Sequence, residues 1–259
     1  MNVAIVSVGD ELLAGTTTNT NAAWLAGRLT ERGSTVHRIL TIPDDRAEIA
    51  DYVGRWRDEF DAVIVTGGIG GTPDDMTVEA AAEGLDRDLV VHERIYDDLR
   101  EKAAEFREEN PEMVAEYDLE LDLEAAASLP EGATPIVVDE AWAPGCIVEN
   151  VYVFAGIPEE MKAMFREVEA EFRGDATAKT IYTPAPEGSL HGVLERAGDE
   201  FDVAVGSYPR GESRPGRIRV TGTDESTVEE AIEWLRERVE TTEPPSESES
   251  KSKSEAESE

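Results

Sequence analysis

The sequence predicts an α/β protein: a parallel sheet with helices on both faces, followed by a smaller α+β unit. Three observations predict it. Apolar runs at 3–8, 35–40 and 62–66 alternate with stretches of helical spacing, which gives a βαβαβ order. A glycine cluster, Gly67, Gly68, Gly70 and Gly71, follows the third run and leads into Val78-Glu79-Ala80-Ala81-Ala82, which reads as helix. A second, shorter series from about residue 175 reads βαββα.

Val3-Ala4-Ile5-Val6-Ser7-Val8 is the first strand, and Gly9-Asp10-Glu11-Leu12-Leu13-Ala14-Gly15 ends it in a loop bracketed by glycines. Thr16 to Asn21 is a polar run that can cap a helix and presents the Asn19 and Asn21 amides. Ala22, Ala23, Leu25, Ala26 and Leu29 recur at helical spacing up to Gly33. Thr35 to Leu40 is the second strand, and Pro43-Asp44-Asp45 starts a helix with Ile49, Tyr52, Val53 and Trp56 inward. Residues 62–66 are the third strand. Residues 92–108 read as one long exposed helix and residues 109–131 as helical pieces, with a turn at Pro130-Glu131-Gly132-Ala133. Strands are expected at 134–138, 145–148 and 151–155, and a helix from Pro158 that buries Met161, Met164, Phe165 and Val168.

In the second series the strands are Thr180–Thr183, Phe201–Tyr208 and Arg217–Thr221, and the helices are 187–199 and 226–240. The order suggests a small sandwich of ferredoxin-like type. The domains expected are 1–174, 175–240 and a disordered acidic tail at 241–259, where a Ser/Glu/Lys repeat offers nothing to bury.

Composition narrows the function classes. Acids outnumber bases 58 to 24 among 259 residues, for a net charge of −34. The charge is spread along the chain, as in a protein of a high-salt cytoplasm where screening removes self-repulsion. A surface made for one basic partner would gather it on one face. Electrostatic binding of nucleic acid is disfavoured. No run of about 18 apolar residues predicts a membrane span, and no signal peptide is read at the N-terminus. The single Cys146 fits a reducing compartment, so a cytoplasmic protein is expected.

Ligands of such sheets sit beyond the C-terminal strand ends. Three acidic pairs arrive there: Asp10 with Glu11, Asp44 with Asp45, and Asp74 with Asp75. Glycines let backbone amides approach a phosphate, and the next helix start adds free N–H groups. Adjacent carboxylates can hold a divalent cation beside that phosphate. Tight strand–helix packing, with the aspartates as simple caps, is the competing explanation. A Walker A loop is excluded because no lysine follows the last glycine. A dinucleotide fingerprint is excluded because the glycines follow the third strand. His37, His92 and His191 are too scattered for a metal set. Arg210, Arg214, Arg217 and Arg219 form either a solvated hairpin or an anion-binding arm.

Gly9-Asp10-Glu11-Leu12-Leu13, Asn19-Thr20-Asn21, Pro43-Asp44-Asp45 and the run from Thr66 to Thr77 together resemble the molybdopterin-binding domain family, in particular its CinA (competence/damage-inducible) branch. Ala143-Pro144-Gly145 and Gly156-Ile157-Pro158-Glu159-Glu160-Met161 match later motifs, and the resemblance covers about residues 1–172. It implies a three-layer α/β/α domain with a mainly parallel sheet. It also implies a nucleotide or molybdopterin-type ligand, a divalent metal such as Mg²⁺, and a homo-oligomer, dimer or trimer. By this resemblance the glycine loop would bind the nucleotide or pterin, and Asp44 and Asp75 would serve metal binding and catalysis. The residues' own placement extends the phosphate or nucleotide set to Gly67, Gly68, Gly70, Gly71, Thr72, Asn19 and Asn21, the metal set to Asp10, and the catalytic candidates to Asp74 and Glu11. The activity implied is hydrolysis of a nucleotide diphosphate of the ADP-ribose or FAD type. The alternatives are a non-catalytic binding module and adenylyl transfer in molybdenum cofactor biosynthesis.

The chain departs from the branch in three places. Gly71 stands at a usual proline position. The segment Asp122-Leu123-Glu124-Ala125-Ala126 lacks the branch's cation. Ala141-Trp142-Ala143-Pro144-Gly145 replaces Gly-Thr-Ala-Pro-Gly. A missing cation weakens stabilisation of a leaving phosphate. The amidohydrolase domain of many relatives is absent from the sequence, so nicotinamide-nucleotide deamidation is not expected.

Overall fold

A computed structural model describes residues 1–70, 75–112, 122–211 and 215–244. Gly71, Thr72, Asp74, Arg214, most of the alternating run 116–124 and the tail from 245 lie outside the described residues. The chain divides into two compact units, Met1–Gly174 and Asp175–Glu259.

The first unit is built on β1 (Asn2–Val8), β2 (Thr35–Ile42), β3 (Ala62–Thr66), β6 (Thr134–Ile136), β7 (Gly145–Val148) and β8 (Val151–Phe154), in the order β2-β1-β3-β8-β7-β6. The pairs β1–β2, β1–β3 and β3–β8 are parallel, whereas β7 is antiparallel to both its neighbours. β1 and β3 are continuous apolar runs because both sheet faces are covered. Val3 and Ile5 of β1 and Ile64 of β3 pack towards α2 (Thr20–Glu31) and α7 (Pro158–Val168) through Leu25, Leu29, Met164 and Phe165. The intervening Ala4, Val6, Val63 and Val65 pack towards α3 (Arg46–Glu59) and α4 (Thr77–Gly84) through Ile49, Val53 and Ala80. This gives three layers, helices over and under one sheet. Each large side chain so buried contributes about 1.5–3 kcal/mol.

Several expected elements shift, each for a physical reason. The loop after β1 contains a helical turn, α1 (Asp10–Leu13). β2 runs on to Ile42 because Thr41 and Ile42 still find partners in Ser7 and Val8. α5 (Glu93–Glu109) is not wholly exposed: Ile95, Leu99 and Ala103 are buried. Together with Ala127, Ile95 and Leu99 form a satellite core under α6 (Leu123–Ala126). Two unexpected strands, β4 (Leu89–Val91) and β5 (Ser128–Pro130), pair antiparallel. α4 starts at Thr77, with Met76 in the cap position.

The second unit is β9 (Thr177–Thr183), α8 (His191–Phe201), β10 (Ala204–Tyr208), β11 (Gly216–Gly222) and α9 (Glu225–Arg236). Its sheet is antiparallel in the order β10-β11-β9 and buries Ile181, Ile218 and Val220 against Val228, Ile232 and Leu235. β10 begins later than expected because α8 runs to Phe201. Asp202 then turns the chain in the left-handed region at φ 51°. The expected tail boundary at 241 also moves, since Thr242 donates its N–H to the Tyr182 carbonyl at 2.9 Å. In the basic hairpin, the Arg217 guanidinium lies 5.0 Å from the Tyr208 ring centroid, a cation–π contact.

Candidate functional site

The C-terminal edge of the parallel strands carries those of the predicted residues that are described, and chain geometry explains how each arrives. β1 is followed by Gly9, whose N–H donates to the Ile42 carbonyl at 3.1 Å and so holds the ends of β1 and β2 together. The Asp10 N–H then donates to Asp44 Oδ2 at 2.9 Å. The two acidic loops are thus joined. Asp45 is used differently, since its carboxylate caps α3 by accepting from the Glu48 N–H at 2.9 Å. The Glu11 carboxylate folds back over Gly9, where a Cβ would lie 2.5 Å from Glu11 Oε2.

The glycine loop leaves β3 at Gly67, with φ 103°, followed by Gly68, with φ 65°. Neither value suits a residue with a Cβ. A Cβ on Gly67 would come closer than 3.0 Å to the Val8 carbonyl, and one on Gly68 would collide with Thr77 Oγ1. The Gly68 carbonyl in turn accepts the Thr77 N–H at 2.9 Å, tying the loop to the start of α4. The Asp75 carboxylate reaches back over Gly70, where a Cβ would lie 2.5 Å from its Oδ2. Gly68 is thus tied to Thr77, and Gly70 lies close against the Asp75 carboxylate.

Asn19 and Asn21 sit at the same edge, and both amides brace the scaffold. Asn19 Oδ1 accepts the Ala22 N–H at 3.0 Å and caps α2, while its Nδ2 donates to Thr41 Oγ1 at 3.3 Å. Asn21 Nδ2 donates to the Gly156 carbonyl at 2.7 Å. Thr66 Oγ1 donates to the Ala155 carbonyl at 2.7 Å. Three buried polar atoms at this edge, Ser7 Oγ, Asn21 Oδ1 and Thr77 Oγ1, have no hydrogen-bond partner among the described residues.

A cleft of about 350 Å³ opens beside the glycine loop, within the range of small-molecule sites. Gly68, Gly70, Asp75 and Glu79 line it from the loop and α4. Asp122, Leu123 and Ser128 line it from α6 and β5, and Trp142, Ala143 and Pro144 from the turn before β7. Its described lining has three carboxylates, Asp75, Glu79 and Asp122, and no lysine or arginine. Arg46 is close by, but its guanidinium is bound at 2.9 Å to both Glu79 and Glu83, one helical turn apart. Lys102 donates to the Ala141 carbonyl at 3.3 Å, next to Trp142. Spacing along the sequence marks neither cation, because both meet their partners only through the fold.

Among the described residues no three His, Cys, Asp or Glu side chains are grouped to hold an ion. Asp10 and Asp44 meet through a backbone N–H, and the Asp75 carboxylate lies against Gly70. Cys146 is buried in the sheet, which pushes its thiol up to about 12 and keeps it un-ionised. His37 Nε2 sits 3.1 Å from Asn2 Oδ1, away from this edge of the sheet.

Comparison with known proteins adds the family. Residues 4–173 match the model described as "Probable molybdopterin binding domain", and residues 175–244 match "FAD synthase, middle domain". A protein of Archaeoglobus fulgidus is 36% identical over 241 residues, covering 92% of this chain and 97% of its own length. Protein PYRAB15930 of Pyrococcus abyssi is 33% identical over 246 residues, covering 92% of this chain and 97% of its own. Among solved structures, the protein CinA of unknown function from Thermoplasma acidophilum is similar at 30% identity and a TM-score of 0.57. That match covers 66% of this chain and 97% of the CinA chain. The chain belongs to the molybdopterin-binding domain family, on its CinA-like branch.

Proposed function

We propose that the first unit binds a phosphate-bearing nucleotide or pterin in the cleft beside the glycine loop. The observation that carries this reading is the joining of that loop to the start of α4 in the wall of a ligand-sized cleft. Phosphate oxygens would accept from backbone N–H groups of the loop and of the first turn of α4. Thr77 Oγ1, buried and unpartnered among the described residues, is a further donor at the same point. Titration calorimetry with ADP, ADP-ribose, FAD and a pterin phosphate tests the reading. Saturable binding supports it, and heats at the level of dilution for all four reject it.

A second reading adds turnover: hydrolysis of a nucleotide diphosphate, or adenylyl transfer to a pterin. The observation in its favour is that Asp10 and Asp44 are joined at the same sheet edge as the loop, with the Glu11 carboxylate over the adjoining Gly9. In that reading Glu11 or Asp74 takes the proton from the attacking group. A divalent cation would be the cofactor, with Asp44, Asp75 and Asp10 as its donors. Because the described carboxylates do not assemble an ion site, no step is assigned to it. Incubation with Mg²⁺, Mn²⁺ or Co²⁺ and ADP-ribose or FAD, for wild type and Asp44→Asn, separates this reading from simple binding. We further infer a homo-oligomer in a salt-rich cytoplasm, from the family resemblance and the charge of −34.

A further inference from the structure

We propose that Trp142 is the platform on which the ligand's planar ring stacks, and that this ring, rather than the phosphate, supplies most of the affinity. The inference rests on the binding reading above and deepens it. Two independent features of the cleft point to it.

The first is the tryptophan itself. Trp24 packs against Phe165 at 5.5 Å between ring centroids, Trp56 against Phe60 at 5.5 Å, and Trp234 against Phe201 at 6.1 Å. Trp142 has no aromatic or hydrogen-bond partner among the described residues and lines the cleft. It is only partly buried, and it is seated on the small apolar core of Ile95, Leu99 and Ala127. It also lines the shallow hollow by Ile95, Leu99 and Lys102. A large ring fixed by apolar packing and still open to a cleft loses little freedom when a ligand stacks on it.

The second is charge. Phosphate sites that work by attraction carry lysine or arginine in a fixed fork or point charge. This cleft presents Asp75, Glu79 and Asp122 instead. Backbone N–H groups can still orient a phosphate, but the Coulomb interaction of an anion with the carboxylates of this lining is repulsive, softened only at Glu79 by its pairing with Arg46. Affinity has to come from a part of the ligand indifferent to that field. A neutral nucleobase, flavin or pterin ring stacked on an indole meets that requirement, because stacking depends on the π-face and not on charge. Binding should consequently hold its strength in salt, where the repulsion of the phosphate is screened.

The experiment compares AMP, FMN and ribose 5-phosphate by calorimetry on the full chain at low and high salt. The variants are Trp142→Leu, which keeps the apolar packing, and Trp142→Phe, which keeps a smaller ring. Melting curves establish that both variants fold. The expected result is AMP and FMN binding at least about tenfold tighter than ribose 5-phosphate. Trp142→Leu should remove that advantage and Trp142→Phe restore part of it, with no loss of affinity as salt is raised. Two outcomes overturn the proposal and leave the binding reading intact: ribose 5-phosphate binding as tightly as AMP, or a folded Trp142→Leu binding AMP like wild type. If wild type binds none of the three, this proposal falls, and the titrations with ADP, ADP-ribose, FAD and a pterin phosphate decide the binding reading separately.

Discussion

Replacing Gly67 by alanine tests the glycine loop's role as a turn independently of any ligand. Gly67 has φ 103°, and a Cβ there comes closer than 3.0 Å to the Val8 backbone carbonyl, which β-sheet pairing holds in place. Forcing an L-residue to positive φ costs roughly 1–2 kcal/mol. Overpacking against a backbone atom that cannot rotate away adds about 1–3 kcal/mol. The sum, on the order of 2–5 kcal/mol, corresponds to a Tm decrease of about 5–15 °C for a unit of this size. Gly70→Ala is the matched control. Gly70 is not among the positive-φ glycines, and the nearest described atoms to a Cβ there belong to the Asp75 carboxylate, with Oδ2 at 2.5 Å. That variant keeps a permitted backbone conformation, so it should melt above Gly67→Ala while weakening ligand binding, because the Asp75 carboxylate that lines the cleft must shift. Thermal unfolding by circular dichroism reads both. A Gly67→Ala protein that melts with wild type would refute the account of the loop.

Three further outcomes are expected. Asn21→Ala leaves the Gly156 carbonyl without its 2.7 Å donor and unties α2 from the chain after β8, so it should cost about 1–3 kcal/mol; chemical denaturation checks this, and an unchanged midpoint contradicts it. Cys146 ionises near its usual 9.0 in the unfolded chain but is pushed up to about 12 by burial when folded. The unfolded state therefore releases its proton first, so the stability it contributes is complete below about pH 9 and is lost as pH rises towards about 12. The same burial predicts that the thiol resists alkylation at pH 8 until denaturant is added, and rapid labelling of native protein would contradict that. Lastly, with a net charge of −34, Tm should climb between low salt and about 1 M NaCl, where the Debye length falls to about 3 Å; a flat or falling Tm would show that self-repulsion is not a significant load on the fold.

The parts of the fold legible in the sequence were those whose signal is local and repeated. β1 and β3 are buried on both faces, so they read as unbroken apolar runs, and Leu25 and Leu29 or Ile49, Val53 and Trp56 mark helix faces by spacing alone. The rule that parallel strands deliver their loops to one edge brought Asp10 to Asp44 across 34 residues. What escaped had no local signature. β4 and β5 are three residues each, too short for a period, and exist only because they pair. The start of β10 was set by Asp202 at φ 51°, a conformation that aspartate tolerates but does not announce. Asn21 reads as a ligand amide, yet its partner Gly156 is 135 residues away. Trp142 is notable in sequence only as a departure in an Ala-Pro-Gly turn. Its place in the cleft depends on α5 and α6 packing behind it.

The central claim is that the glycine-loop cleft of the first unit binds a phosphate-bearing ring ligand. Calorimetric titration of the intact protein with ADP-ribose, beside Trp142→Leu and Gly70→Ala, tests it most directly. The account predicts saturable binding by wild type, with loss of at least about tenfold in affinity for Trp142→Leu and a smaller loss for Gly70→Ala. Saturable binding unchanged in both variants would move the site elsewhere. Heats at the level of dilution with ADP-ribose, FAD, ADP and a pterin phosphate alike would contradict the claim outright.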